Sequence, residues 1–377
     1  MSPIELLSKL VSFKSITPND DGSLDFLSRI LQEIGFKCKR LTFGDSPLNN
    51  TKNLFASYRN GSGPHFCFAG HVDVVPPGKD WKSNPFKATK KNGFIFGRGV
   101  CDMKGSIAAF INSVKNFIIN NKNFNGTLSI ILTSDEEGEA KFGTVKVVEW
   151  LKKEKINIDF CLVGEPTSNK FIGDMAKIGR RGSLNCLLVV KGKQGHVAYP
   201  EKAKNPINKL LKYCSVLRKP LDKGNKYFPP SNLEITSIDT GNKITNLIPE
   251  SASINFNVRF NNKFNANSLI KHLKKKLNAV DTKYDLKFKI SGESFLNESK
   301  FLNSNLEKSI LKITNRKVMF STTGGTSDAR FISKICPVIE FGSIGETMHQ
   351  VDEKIRIKDV EILSKIYEDL LKRIYFQ

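Results

Sequence analysis

The feature that most constrains the fold is a change of rhythm along the chain. Up to about residue 165, short apolar runs alternate with helical patterns: strands are predicted at 53–58, 65–71, 127–133 and 159–163, helices at about 104–121 and 142–153. Such alternation builds an α/β sheet, mixed but mostly parallel, flanked by helices. From about residue 184 the order becomes strand, helix, strand, strand, helix, strand, at 184–191, 205–218, 232–238, 251–260, 266–279 and 284–290. That is the split β-α-β pattern of a ferredoxin-like α+β module. The first rhythm then returns with a strand at 337–341 and a closing helix near 357–375. The expectation is a discontinuous catalytic domain, 1–180 and 294–377, interrupted by an inserted domain, 181–293.

The start reads as a capped helix. Ser2, Pro3 and Glu5 supply an N-cap, a proline at the first helical position and the acid of a capping box. A second helix is expected over 23–34, ending at Gly35. Glu5 also sits where a signal peptide would place its apolar stretch, so none is expected, and no apolar run is long enough to span a membrane. The seven cysteines are odd in number and form no C-x-x-C pair, which argues against a disulfide framework and for reduced thiols in a cytoplasmic protein. The formal net charge of +22 raises the question of nucleic-acid binding. The lysines are, however, spread along the chain as solvated helix faces, so the field is better suited to steering a small anionic substrate.

Five segments carry chemistry. Gly70-His71-Val72-Asp73 follows an apolar strand, and residues two apart in an extended chain face the same way. Asp73 can therefore accept the second ring N–H of His71 and fix its tautomer. Gly97-Arg98-Gly99-Val100-Cys101-Asp102 sets one acid among glycines before a helix, where taken by itself it reads first as a glycine-rich turn with an N-capping Asp. Asp135-Glu136-Glu137 and Gly164-Glu165-Pro166 follow further strands. His349 lies in Thr347-Met348-His349-Gln350, after the last one. Adjacent carboxylates at a strand end are costly unless solvated or neutralised by a cation. Two histidines and three carboxylates suit zinc, and five ligands exceed one tetrahedral site. They fit two ions about 3.5 Å apart if one carboxylate bridges them, which leaves Glu136 and Asp73 over.

This ordered series resembles the di-zinc aminoacylase and carboxypeptidase metallopeptidase superfamily, over nearly the whole chain. Within it the chain is most similar to the branch that cleaves N-succinyl-LL-2,6-diaminopimelate to succinate and LL-2,6-diaminopimelate, in lysine and meso-diaminopimelate biosynthesis. The narrower match rests on Lys177–Ser183, Gln194–Pro200, Thr245–Pro249 and Thr323–Phe331. The resemblance implies a zinc-peptidase-like catalytic domain, a dimerisation or lid domain at the insertion, a homodimer, and two Zn2+ per subunit that Co2+ can replace. It implies Asp102 as bridging ligand, with His71 and Glu165 at one ion and Glu137 and His349 at the other. It makes Glu136 the general base, Asp73 the support of His71, and His196 a group reaching into the partner's active site. Arg180, Ser183, Tyr199, Asn246, Arg259, Gly325 and Thr326 match substrate-pocket positions.

One departure stands out. The family pattern before the late histidine is L-N-x-T-I-H, whereas this chain has Ile344-Gly345-Glu346-Thr347-Met348-His349, which bears on affinity or fine specificity. Two other readings compete: a related N-acyl amino acid amidohydrolase, such as acetylornithine deacetylase or an aminoacylase, and a non-catalytic metal or nucleic-acid binding protein. The GRRGS and TGGTSDARF segments oppose the first. The spare acid beside Glu137 opposes the second, because binding alone needs no base.

Overall fold

The computed structural model describes residues 1–46 and 49–376; Gln377, the last residue of the expected second catalytic segment, lies outside them. The chain divides into two compact units. The first comprises Met1–Ile178, Asn297–Ser321 and Ser327–Gln377, the second Gly179–Leu296 and Thr322–Thr326. The sequence reading had placed 322–326 with the catalytic segment. Local bonds hold them in the second unit: Arg180 Nη1 donates to Thr323 O at 3.1 Å, and Thr322 Oγ1 to Tyr227 O at 2.5 Å.

The first unit begins as its capping box dictates. Ser2 Oγ accepts the Glu5 N–H at 3.2 Å, and Glu5 Oε2 accepts the Ser2 N–H at 2.8 Å. Helix Ser23–Ile34 stops at Gly35, whose φ of 104° favours a residue without Cβ. The core is an eight-stranded mixed sheet. Its order is Lys37–Ser46, Asn49–Asn60, Gly126–Thr133, His65–His71, Phe160–Val163, Val338–Glu340, Met175–Lys177 and Met319–Ser321. The central neighbours, from Gly126–Thr133 to Val338–Glu340, run parallel. Helices Gly105–Asn120 and Ile357–Tyr375 pack on each other against the sheet. Phe110 stacks on Phe68 with centroids 4.1 Å apart, and Tyr367 donates its hydroxyl to Phe341 O at 2.7 Å.

The register brings strand ends together. His71 pairs with Thr133, Ala69 with Val163, and Val163 with Glu340. The residues that follow these strands therefore emerge at one carboxyl edge, where α/β sheets place their sites.

The second unit has a four-stranded antiparallel sheet, in the order Asn232–Asp239, Ser251–Phe260, Gly182–Lys191 and Asp285–Gly292. Numbered along the chain this is 2-3-1-4, the ferredoxin-like arrangement. Helices Pro206–Leu217 and Ala266–Asn278 share a core with one face of the sheet, built on Leu184, Leu188, Leu210, Phe256, Phe260 and Leu273. Both helices are capped by asparagine: Asn205 accepts from the Ile207 N–H and Asn265 from the Ser268 N–H. All seven cysteines are free. Among the described residues no helix is long and apolar enough to cross a membrane.

Candidate metal centre and active site

Five segments of the first unit converge. His71 ends its strand almost fully buried, and its Nε2 lies 3.3 Å from Asp102 Oδ1 and 3.9 Å from Glu165 Oε1. His349 Nε2 lies 3.3 Å from Asp102 Oδ2 and 2.8 Å from Glu137 Oε1. Asp102 thus turns one oxygen to each imidazole, with Glu165 on the His71 side and Glu137 on the His349 side. Donor atoms of His71, Asp102 and Glu137 lie within 4.8 Å of one another, as do those of His71, Glu136 and Glu165. By distance alone Glu136 is therefore as well placed to touch a cation as Glu137.

Asp102 is not a helix cap. It sits in the turn Val100–Lys104 at φ −126° and ψ 94°, with a cis peptide to Met103, and the helix that follows is preceded by Lys104 without a side-chain cap. Nor does His349 directly follow a strand, since Val338–Glu340 ends nine residues earlier. His349 occupies a turn at φ 62°, a conformation uncommon outside glycine, which returns its ring to the cluster.

Asp73 does more than support His71. The His71 Nδ1 partner is the Asp73 carbonyl oxygen at 2.9 Å, with carboxylate Oδ1 farther off at 3.6 Å. The fully buried Asp73 carboxylate accepts the backbone N–H groups of Glu136, at 3.1 Å, and Glu137, at 3.0 Å. It fixes the peptide that carries both acids.

The electrostatics follow from crowding. Burial pushes Asp73 up to about 6 against the pull of His71. Burial, then the charge of Glu165, raises Glu136 well above the ordinary carboxylate range; Asp328 and Glu137 add to this and His71 opposes it. Burial would also raise Asp102, but its hydrogen bonds with His349 and His71 hold it far below that range. Burial would lower His71, yet Asp102, Glu136 and Asp73 lift it well above the ordinary imidazole value. His349 rises to about 10 through Asp102 and Glu137.

Four carboxylates therefore face two imidazoles, a balance that calls for cations. The buried Asp102 Oδ1 accepts no well-aligned hydrogen bond, although its other oxygen faces a second imidazole. Nitrogen and oxygen donors in this number fit a pair of divalent cations of the zinc class.

The other expected residues all lie in the second unit and form two groups. Arg180 and Ser183 are buried, and a Cβ at Gly324, beside Gly325 and Thr326, would run into Arg180 Nη1. Ser183 pairs across the sheet with Arg259. His196, Tyr199 and Asn246 are exposed; His196 pairs with Leu247, its ring lies 5.8 Å from that of Tyr199, and Asn246 O accepts the Val197 N–H at 3.1 Å. At the family departure, Gly345 N–H donates to Ser168 O at 3.2 Å, and a Cβ there would meet Pro166 O at 2.9 Å. A side chain at 345 would force the Glu165–Pro166 loop to shift.

Three residues near the centre escaped sequence reasoning. Asp328 is 3% exposed and adds its charge to that felt by Glu136. Arg98 and Glu353 form a buried ion pair at 2.9 Å. Asp328 and Arg98 lie inside segments already singled out, while nothing in the sequence marks Glu353.

Known proteins bear on this arrangement. The chain is 48% identical to the succinyl-diaminopimelate desuccinylase of Pelagibacter ubique (strain HTCC1062), over 99% of this chain and 98% of that one. It is 47% identical to the enzyme of the same name from Zymomonas mobilis, over 98% and 97%. Among solved structures, an M20 family metallo-carboxypeptidase from Sulfolobus solfataricus superposes with a TM-score of 0.80 at 17% identity, covering all of both chains. A dinuclear metal-binding peptidase of the M20 family from Bacillus subtilis superposes at 0.73 and 15% identity, over 98% of this chain and 96% of that one. At such identities these structures speak to the fold. The profile of peptidase family M20/M25/M40 matches residues 67–373. The chain belongs to peptidase family M20/M25/M40.

Proposed function

We propose that this chain hydrolyses N-succinyl-LL-2,6-diaminopimelate to succinate and LL-2,6-diaminopimelate, as a metal-dependent amide hydrolase of lysine and meso-diaminopimelate biosynthesis. The observation that carries the reading is the near full-length likeness to desuccinylases from several bacteria. The cluster of histidines and carboxylates supplies the chemistry that such a reaction needs.

The residues then take these roles. His71 and Glu165 would hold one cation and His349 and Glu137 the other, with Asp102 as the ligand they would share. We assign Zn2+ to both positions, with Co2+ able to replace it. When bound, such ions polarise a carbonyl and bring the pKa of a water to about 7. Glu136 takes a proton from the attacking water and returns it to the amine as the C–N bond breaks. Asp73 holds the Glu136 peptide in place for both transfers. His196, supplied by a second copy of the chain in a homodimer, donates to the developing oxyanion. Arg180 and Arg259 suit carboxylates because a guanidinium offers paired donors in a plane. Ser183, Tyr199, Asn246, Gly325 and Thr326 complete substrate recognition. The second unit, Gly179–Leu296 with Thr322–Thr326, serves dimerisation and closure, and the first unit catalysis. The substrate carries three carboxylates and one amine, in keeping with the basic chain, and we assign the enzyme to the cytoplasm, in keeping with that biosynthetic role.

A substrate panel on Zn2+-loaded protein tests the reading. N-succinyl-diaminopimelate should be cleaved with far higher kcat/KM than N-acetylornithine or N-acyl amino acids. Preference for N-acetylornithine would move the chain to another activity of the family.

A further inference from the structure

Glu353 has 1% of its surface exposed, and five donors converge on its carboxylate. Oε1 accepts the backbone N–H of Cys101 at 2.9 Å and of Asp102 at 3.3 Å, and the Cys101 thiol at 3.2 Å. Oε2 accepts the Gly99 N–H at 2.8 Å and Arg98 Nη1 at 2.9 Å. Three of the five are main-chain groups of one turn, the turn that presents Asp102. Arg98, equally buried, reaches outward from the same point. Its Nη1 also donates to Gln350 O at 3.0 Å and its Nη2 to Pro77 O at 3.0 Å, with Pro76 O at 3.5 Å. The Trp81 ring lies 5.2 Å from the guanidinium carbon. Arg98 therefore joins the segment that follows His71 to the one that follows His349.

A buried ion pair contributes little net stability against hydrophobic residues of the same size, because desolvating both charges offsets their attraction. This pair is also spent on main-chain groups, and the groups it binds belong to the three segments that carry His71, Asp102 and His349. We propose that Arg98 and Glu353 are the positioning residues of the cation centre. Glu353 fixes the Asp102 peptide so that its two carboxylate oxygens face different histidines. Arg98 ties that turn to the backbone beyond both histidines. The proposal rests on Asp102 being the shared ligand.

The experiment is a Co2+ titration followed by calorimetry and by the visible absorption of bound Co2+, on the wild type, Glu353→Gln, Arg98→Lys and Asp102→Ala. Glu353→Gln keeps size and shape but aims an amide N–H2 at groups that are themselves donors. Replacing outer partners of metal ligands typically weakens binding by about 10–100-fold. A loss of that size for Co2+ is expected in Glu353→Gln, with an altered visible spectrum and an unchanged far-ultraviolet circular dichroism. With substrate, kcat should fall while KM holds, because the pair touches no substrate group. A folded Glu353→Gln with wild-type Co2+ affinity and spectrum overturns the proposal. Should that variant not accumulate, Arg98→Lys carries the test. It leaves the three backbone bonds to Glu353 and removes the bonds to Gln350 and Pro77. Weakened Co2+ binding then supports the clamp, and wild-type binding overturns it. Asp102→Ala separates the two levels. If it binds Co2+ as the wild type does, the reading of the centre has failed. If it loses Co2+ while both other variants do not, only the positioning role falls.

Discussion

Glu136→Ala should leave the cation centre filled and the reaction nearly stopped. Glu136 is held by its backbone, since Asp73 accepts its N–H at 3.1 Å, so truncating the side chain leaves the peptide and Glu137 in place. The remaining donors stay where they are, with Glu165 3.9 Å from His71 Nε2 and Glu137 2.8 Å from His349 Nε2, so an ion on either side keeps its proposed ligands. Loss of a general base costs about 10²–10⁴ in rate. At 1.36 kcal/mol per factor of ten this corresponds to about 2.7–5.4 kcal/mol on the barrier. The assay pairs metal content after dialysis with kcat and KM on N-succinyl-diaminopimelate. Two ions per chain, an almost unchanged KM and a kcat lowered by this factor are expected. Because Glu136 also lies within 4.8 Å of donor atoms of His71 and Glu165, the opposite result is well defined. Loss of one ion in Glu136→Ala, with both retained in Glu137→Ala, would mean that the two acids have exchanged roles.

His196→Ala should lower kcat by about 10²–10³ with little change in metal content, the usual worth of an oxyanion donor. Mixing it with Glu136→Ala and allowing subunit exchange should restore about a quarter of wild-type activity, because half the dimers are mixed and each has one whole site; no recovery after verified exchange would place His196 within its own chain. Light scattering at assay concentration should give a dimer, and a fully active monomer would contradict that arrangement. Phe256, 1% exposed in the core of the second unit, should cost about 3–5 kcal/mol of stability on replacement by alanine, read from denaturant melts. Free Zn2+ held at 100 times its Kd should add about 2.7 kcal/mol to stability for each site filled, and a chelator should remove it; a melting temperature indifferent to chelator would contradict a cation-balanced cluster.

The parts legible in the sequence are those whose physics is local. The strand His65–His71 is apolar and bounded, so its end, and with it His71, could be placed. The capping box at Ser2 and the stop at Gly35 are likewise written in neighbouring residues. Strand Lys37–Ser46 was missed because it is an edge strand with Leu41 as its one buried residue, so it shows no apolar run. Strands Met175–Lys177 and Met319–Ser321 are too short to show a period. His349 reads in sequence as a residue following a strand end, whereas it lies in a turn nine residues beyond Val338–Glu340, a distance at which the strand itself no longer fixes where the ring goes. Glu353 and Arg98 were hidden for the opposite reason. Charged residues in sequence read as solvated surface, and only the fold shows that these two are buried against each other. The role of Asp73 shifted in the same way: its spacing pointed to His71, whereas its carboxylate holds the Glu136–Glu137 peptide, 63 and 64 positions away.

The central claim is a two-cation centre shared by Asp102. Anomalous diffraction from crystals of the Zn2+-loaded protein, recorded on both sides of the zinc absorption edge, tests it most directly. Two peaks per chain are expected, one touching His71 and Glu165, the other His349 and Glu137, with one Asp102 oxygen on each and Glu136 on neither. A single peak at full occupancy, or two peaks of which Asp102 touches only one, would contradict the account.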